Sequence, residues 1–324
     1  LGAGAAMVYL WMARDEQASL APAQPAPGVP IRAEAGTRAA ERRADLPVAP
    51  PEEGPPTTFQ ADRRHTGRSP FVGPARPATA WTHETSGRIT AQPVADRAGN
   101  VYVGSHDGIL YALTASGRPR WQKNLGGAIY STPAIDDAGN VYVGSDAKVF
   151  DSYDRGGTLR WRLETEGDAD TGVTIAPSGN IHFGAGSDLW SVQPDGTVLW
   201  RFRSGGKIFT TPVVDDDGTV YVGSQDDQFY AIAADGEQRW SYRTGGDNDG
   251  SAVLGDDGTI YFGSDDDHVY ALTRDGDLRW SVDLEGMVRG PVALTRDGGV
   301  LVGVFGPRPR LVALNADDGA LRWY

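Results

Sequence analysis

The chain has 324 residues, 40% of them hydrophobic, with 43 glycines, nine tryptophans, twelve tyrosines and no cysteine. The lack of cysteine excludes disulfides, thiolate metal sites and a cysteine nucleophile. A net charge of −13 at pH 7 argues against a nucleic-acid surface, which needs clustered lysine and arginine to displace counterions.

The first 13 residues, LGAGAAMVYLWMA, are uncharged and apolar and stop at Arg14, Asp15 and Glu16. Thirteen residues fall short of the roughly 20 that cross a bilayer as a helix. Residues 1–13 are therefore read as a partial membrane anchor, the tail of a longer span, or as a signal segment, although no basic n-region precedes the apolar run. Residues 14–58 are rich in proline and alanine (APAQPAPGVP, LPVAPPEEGPP). Such a stretch buries too little apolar surface to offset its ordering entropy and is expected to be a disordered, extended linker. Anchor, stalk and a globular unit over 59–324, in that order, describe a tethered extracytoplasmic module.

Within 59–324, Trp81, Trp121, Trp161, Trp200, Trp240, Trp280 and Trp323 recur about every 40 residues, which marks a repeat architecture. Each interval carries the same four pieces, clearest in TPVVDDDGTVYVGSQDDQFYAIAADGEQRW from Thr211. PVVD predicts a short first strand, VYVGS a second, FYAI a third and the residues around RW a fourth. The intervening Asp-Gly and Gly-Asn pairs tolerate the positive φ that tight hairpin turns require. Four antiparallel strands per unit of this length describe a propeller blade. One blade cannot bury both faces of its sheet, so blades pack face to face around an axis. The seven fourth-strand tryptophans are the expected docking residues between neighbours. The expected fold is an all-β propeller of six complete repeats plus an orphan N-terminal strand ending at Trp81. Because Tyr324 follows Trp323 directly, a ring of seven or more blades with a further repeat beyond residue 324 is also expected.

The last repeat, Ala313 to Trp323 (ALNADDGALRW), resembles the tryptophan-docking motif A-x-D-x-x-T-G-x-x-x-W of quinoprotein dehydrogenase propellers, with Asn315 and Asp318 replacing the Asp and Thr. Most other repeats are one residue shorter, as in ALTRDGDLRW from Ala271. They are similar to bacterial PQQ-like propellers and to outer-membrane assembly lipoproteins of the BamB type. The opening FQADRRHTGRSPFVGP, from Phe59, resembles the lead-in of such proteins. In the dehydrogenases the resemblance implies a quinone on the axis with Ca²⁺, often stacked on a disulfide between adjacent cysteines. This chain has no cysteine and no recognisable calcium-binding Glu, Asn and Asp set, so the resemblance extends to the scaffold, and no cofactor or metal is expected.

The acidic runs Asp215-Asp216-Asp217 and Asp265-Asp266-Asp267 lack the alternating ligands and distant glutamate of an EF-hand; they are read as turn carboxylates. His65, His83, His106, His182 and His268 show no metal-ligand spacing and are read as surface or strand residues, His182 standing in for a strand tyrosine. The Gly-Ser pairs at 104, 144, 223 and 263 end strands and lack the strand-turn-helix context of a nucleophile elbow.

What does vary between repeats is the entry to the first strand. Seven residues after each tryptophan stand Arg88, Ala128, Asp168, Lys207, Asp247 and Met287; nine after stand Thr90, Tyr130, Asp170, Phe209, Asp249 and Arg289. Because the chain enters each blade by its inner strand, these residues should ring one channel mouth. Positions that depart from a repeat are where a specific site can be built, although solvated loop variation has the same signature. The candidate binding set is Arg88, Tyr130, Asp168, Asp170, Lys207, Phe209, Asp247, Asp249 and Arg289, suited to a cation, a sugar or a peptide. The leading expectation is a non-catalytic binding or assembly module at the bacterial cell envelope, held to the membrane by its N-terminal segment, with a protein or envelope ligand as partner. The alternatives are a sensor domain of a larger membrane protein such as a receptor-type kinase, and an enzyme at the channel mouth, which a cluster of titratable groups with perturbed pKa would mark.

Overall fold

A computed structural model describes residues 58–67 and 78–324. It contains six four-stranded antiparallel sheets, each a meander in chain order, over 94–124, 134–164, 174–203, 213–243, 253–283 and 293–323. In the fourth sheet the strands are Val213–Val214, Val220–Gly223, Gln228–Ile232 and Gln238–Arg243. The first hairpin turns at Gly218, whose φ of +83° lies in the left-handed region that glycine tolerates. Tyr221 faces Ala231 and Val222 faces Tyr230, and a bulge at Ala231 and Ile232 bends the fourth strand.

Burial explains why only the outer strand alternates. Second and third strands such as Val220–Gly223 are buried almost throughout, because a neighbouring sheet covers each of their faces. The fourth strand is an edge, and its side chains alternate between exposed and half-buried. Hydrophobic clusters lie between successive sheets: Phe229 of the fourth stacks on Phe262 of the fifth at 4.0 Å, and Phe150 of the second on Phe183 of the third at 3.6 Å. Trp121, Trp161, Trp200, Trp240 and Trp280 each donate the indole N–H to a carbonyl in the next sheet and lie against that sheet's turn glycine. At Gly236 a Cβ would sit 2.7 Å from the Trp200 ring, so the indole needs a bare backbone there. Of these indoles Trp280 is the most enclosed, 8% exposed, whereas Trp121, Trp161, Trp200 and Trp240 are only partly buried.

Trp81 docks on the first sheet in the same way, donating to the Ala115 carbonyl at 2.9 Å, yet residues 78–93 form no strand. The indole keeps its docking contact without a paired backbone around it. Trp323 is 50% exposed. The anchor and nearly all of the linker expected from the sequence lie outside the described residues. Among the described residues no helix is long and apolar enough to cross a membrane.

Residues 58–67 run along the axis rather than over the surface. The Arg63 and Arg64 carbonyls accept from Val214 and Leu254, in the first strands of the fourth and fifth sheets, and the Thr58 hydroxyl donates to the Val173 carbonyl. His65 is fully buried, with Nδ1 3.1 Å from the Ala252 carbonyl oxygen and Nε2 3.2 Å from the Thr174 hydroxyl. The expectation of a surface or strand histidine is wrong here: the segment is too short of strand partners to read as structure in sequence, but it supplies an axle around which first strands close. His182 does lie in a strand, Ile181–Ala185.

Candidate functional site

The link from each fourth strand to the next first strand is held by a repeated backbone bond. Two residues after the glycine of each second strand, a main-chain N–H donates to the carbonyl seven residues after the tryptophan. These pairs are His106 to Arg88, Asp146 to Ala128, Gly186 to Asp168, Gln225 to Lys207, Asp265 to Asp247 and Phe305 to Met287, at 2.8 to 3.0 Å. The backbone is thus the same six times while the side chains it carries vary. A third column therefore joins the two that the sequence singled out: His106, Asp146, Gly186, Gln225, Asp265 and Phe305. Its signal was present, since each residue stands at a fixed offset from a strand glycine.

The columns interlock across sheets, the residue nine after a tryptophan meeting the third-column residue of the preceding sheet. Tyr130 packs on His106 with ring centroids 4.2 Å apart. Asp249 accepts from Gln225 Nε2 at 3.1 Å. Arg289 donates through Nε and Nη2 to both oxygens of Asp265 at 2.6 to 3.0 Å. The carboxyls of Asp146, Asp168 and Asp170 lie within 4.8 Å of one another, as do those of Asp247, Asp249 and Asp265. The reading of Asp265 as a turn carboxylate is corrected by its pairing with Arg289. Asp266 does serve the turn, accepting from His268 N at 3.1 Å, while its other oxygen accepts from Tyr270 Oη at 2.6 Å and Gly245 N at 2.7 Å. Arg88 contributes its carbonyl while its side chain is exposed. Lys207 lies over the Phe209 ring, 5.8 Å from its centroid.

Between the third and fourth sheets a pocket of about 210 Å³ is lined by Asp168, Asp170, Gly186, Lys207, Phe209 and Lys148. Burial, reinforced by the hydrogen-bonded Asp146 carboxyl and by the charges of Asp146 and Asp168, pushes Asp170 up to about 9, against the opposing pull of Lys207. Burial and the Asp265 charge push Asp249 up to about 6, with Gln225 and Arg289 opposing. Either carboxyl trio could receive a cation, and the second already receives the Arg289 guanidinium. A quinone with Ca²⁺ does not fit the residues present: no disulfide can form under its ring, residues 58–67 occupy the axis beside the first strands, and a quinone tricarboxylate would face Asp168, Asp170, Asp247 and Asp249.

A family model described as outer membrane protein assembly factor BamB matches residues 72–189 and 185–324. Among solved structures, BamB from Moraxella catarrhalis is similar with a TM-score of 0.63 at 19% identity, over 72% of this chain and 75% of that one. Quinohemoprotein alcohol dehydrogenases from Comamonas testosteroni and Pseudomonas putida are similar with TM-scores of 0.56 and 0.54 at 16% and 15% identity. Each covers 69% of this chain, which spans 57% of either dehydrogenase. At these identities the structural likeness concerns the fold alone. No curated protein sequence matches this one.

Proposed function

The chain belongs to the PQQ-like propeller family of the outer membrane protein assembly factor BamB, and on that premise we propose that it is a non-catalytic binding module of the bacterial cell envelope, tethered by its N-terminal segment, that engages a protein partner through the channel mouth. The observation that carries this reading is the contrast at the mouth between a backbone repeated six times and a combination of side chains that is the same in no two sheets. A scaffold held this constant presents its variable positions in a fixed arrangement, which is what recognition of one partner needs. The far ends of the first strands support it too. There Arg63 pairs with Asp216 and Arg64 Nη2 donates to the Gly255 carbonyl, so the axial segment occupies that side.

The test is a photo-crosslinking residue placed at Ala128 or Met287 in the full chain, in its native envelope, with Leu159 on the outer rim as control. A protein crosslinked from the mouth and lost on Asp168→Asn with Asp247→Asn is expected. Crosslinks from the rim alone would overturn the reading.

A second reading, an enzyme at the mouth, draws on the raised carboxyls of Asp170 and Asp249 and on Thr90, whose hydroxyl lies 2.7 Å from His106 Nε2. Both carboxyl shifts follow from burial and like charge, and among the described residues no third group holds the other nitrogen of His106 as a general base requires. Binding is the better supported use of the site.

A further inference from the structure

We propose that the pocket between the third and fourth sheets is a socket for one arginine side chain of the protein partner, an inference that rests on the reading of the mouth as a protein-binding surface. The repeat itself supplies the comparison. Asp168 and Asp170 of the third sheet stand where Asp247 and Asp249 stand in the fifth. Beside the fifth-sheet pair, Asp265 and the Arg289 guanidinium of the sixth sheet fill the junction, joined by the bidentate contact at 2.6 to 3.0 Å. At the equivalent junction Gly186 replaces Asp265 and Phe209 replaces Arg289. Neither member of the ion pair is present there, and the junction holds a pocket of about 210 Å³.

What borders that space matches what was removed from it. Oδ1 of Asp170 and Oδ1 of Asp146 are buried and meet no donor from another residue, so the two carboxyls are held together only by the proton that Asp170 keeps, which an incoming guanidinium displaces. A guanidinium brings several donors in one plane, pairs with carboxylates through two parallel bonds and stacks on an aromatic face. Asp170 and Phe209 offer those two surfaces in the same pocket. Lys148 and Lys207 also line it. Neither forms an ion pair with Asp168 or Asp170 among the described residues, and both oppose a cationic guest. Lys207 thereby sets the sign of the test, because Met287 stands at its position in the sixth sheet, where a guanidinium is bound.

The probe is a capped Gly-Arg-Gly peptide titrated into the full chain at low salt, with capped Gly-Glu-Gly and CaCl₂ as comparisons. Saturable binding of the arginine peptide is expected, stronger as pH rises and Asp170 gives up its proton, weakened about tenfold by Asp170→Asn, as the loss of the acceptor implies, and tightened by Lys207→Met. Phe209→Arg, which returns a guanidinium to the chain itself, should abolish it. Equal binding of the glutamate peptide, indifference to all three substitutions, or displacement of the arginine peptide by Ca²⁺ would overturn the proposal. A partner still crosslinked from Met287 in the Phe209→Arg protein would remove the socket and leave the mouth as the binding surface. Loss of that crosslink in the wild-type chain would instead remove the mouth reading itself.

Discussion

Trp240 donates its indole N–H to the carbonyl of Arg274, 34 residues on and in the next sheet, at 2.8 Å. The same contact recurs from Trp81 to Trp280, but its burial does not. Trp280→Ala should therefore cost about 3–5 kcal/mol, the usual range for emptying a large buried aromatic site. Trp200→Ala and Trp240→Ala, whose rings are partly exposed, should cost less, about 2–3 kcal/mol, and Trp323→Ala no more than about 0.5 kcal/mol. Urea midpoints measure the series. Equal losses at all four positions would show that docking does not grade their packing.

Asp170 carries a stability signature with an unusual sign. Its carboxyl titrates at about 9 in the folded chain against an ordinary 3.8, so between those values the folded state holds a proton that the unfolded state has released. Stability must then fall as pH rises through that window. Asp170→Asn should flatten this part of the profile and stabilise the protein near pH 8 by about 1–3 kcal/mol. A profile unchanged by the substitution would show that the Asp146 and Asp170 carboxyls are separated in solution.

His65 works in the opposite direction. Burial holds it down to about 4 from an ordinary 6.5, so the unfolded chain takes up a proton first as the solution is acidified. The stability contributed by the neutral ring is complete above the ordinary value and is lost as pH falls from there to about 4. His182, buried and also lowered to about 4, adds to the same window. His65→Gln should reduce the acid dependence by about half, leaving the His182 share, as two similar shifts imply. An undiminished slope in a denaturation series between pH 7 and pH 4 would show that residues 58–67 do not occupy the axis.

Pyrroloquinoline quinone with Ca²⁺ should leave the intrinsic tryptophan fluorescence of the protein unchanged. The mouth presents carboxylates to a tricarboxylate ligand, and like charges brought together at low dielectric repel strongly. Saturable quenching at micromolar quinone would overturn this expectation.

The fold was legible because its signals are local. A glycine at positive φ, two runs of apolar residues and a tryptophan every 40 residues each state their structure within a few positions of themselves, and six repetitions leave little room for another reading. The columns Asp168, Lys207, Asp247 and Asp170, Phe209, Asp249 were legible for the complementary reason, as breaks in that regularity. Hidden from the sequence were the partners. Asp265 read as an ordinary turn carboxylate and Asp146 gave no signal, because nothing local says that one meets Arg289 and the other Asp170 of the following sheet. Gly186 gave no signal, although it lines the pocket beside Asp168 and Asp170. The axial place of His65 depends on first strands from 174 to 254 that its own neighbourhood does not predict. The sequence by itself determined which elements form and which positions vary; only the packing of one sheet against the next decided which variable residues share a boundary, because charge and desolvation act through space and not along the chain.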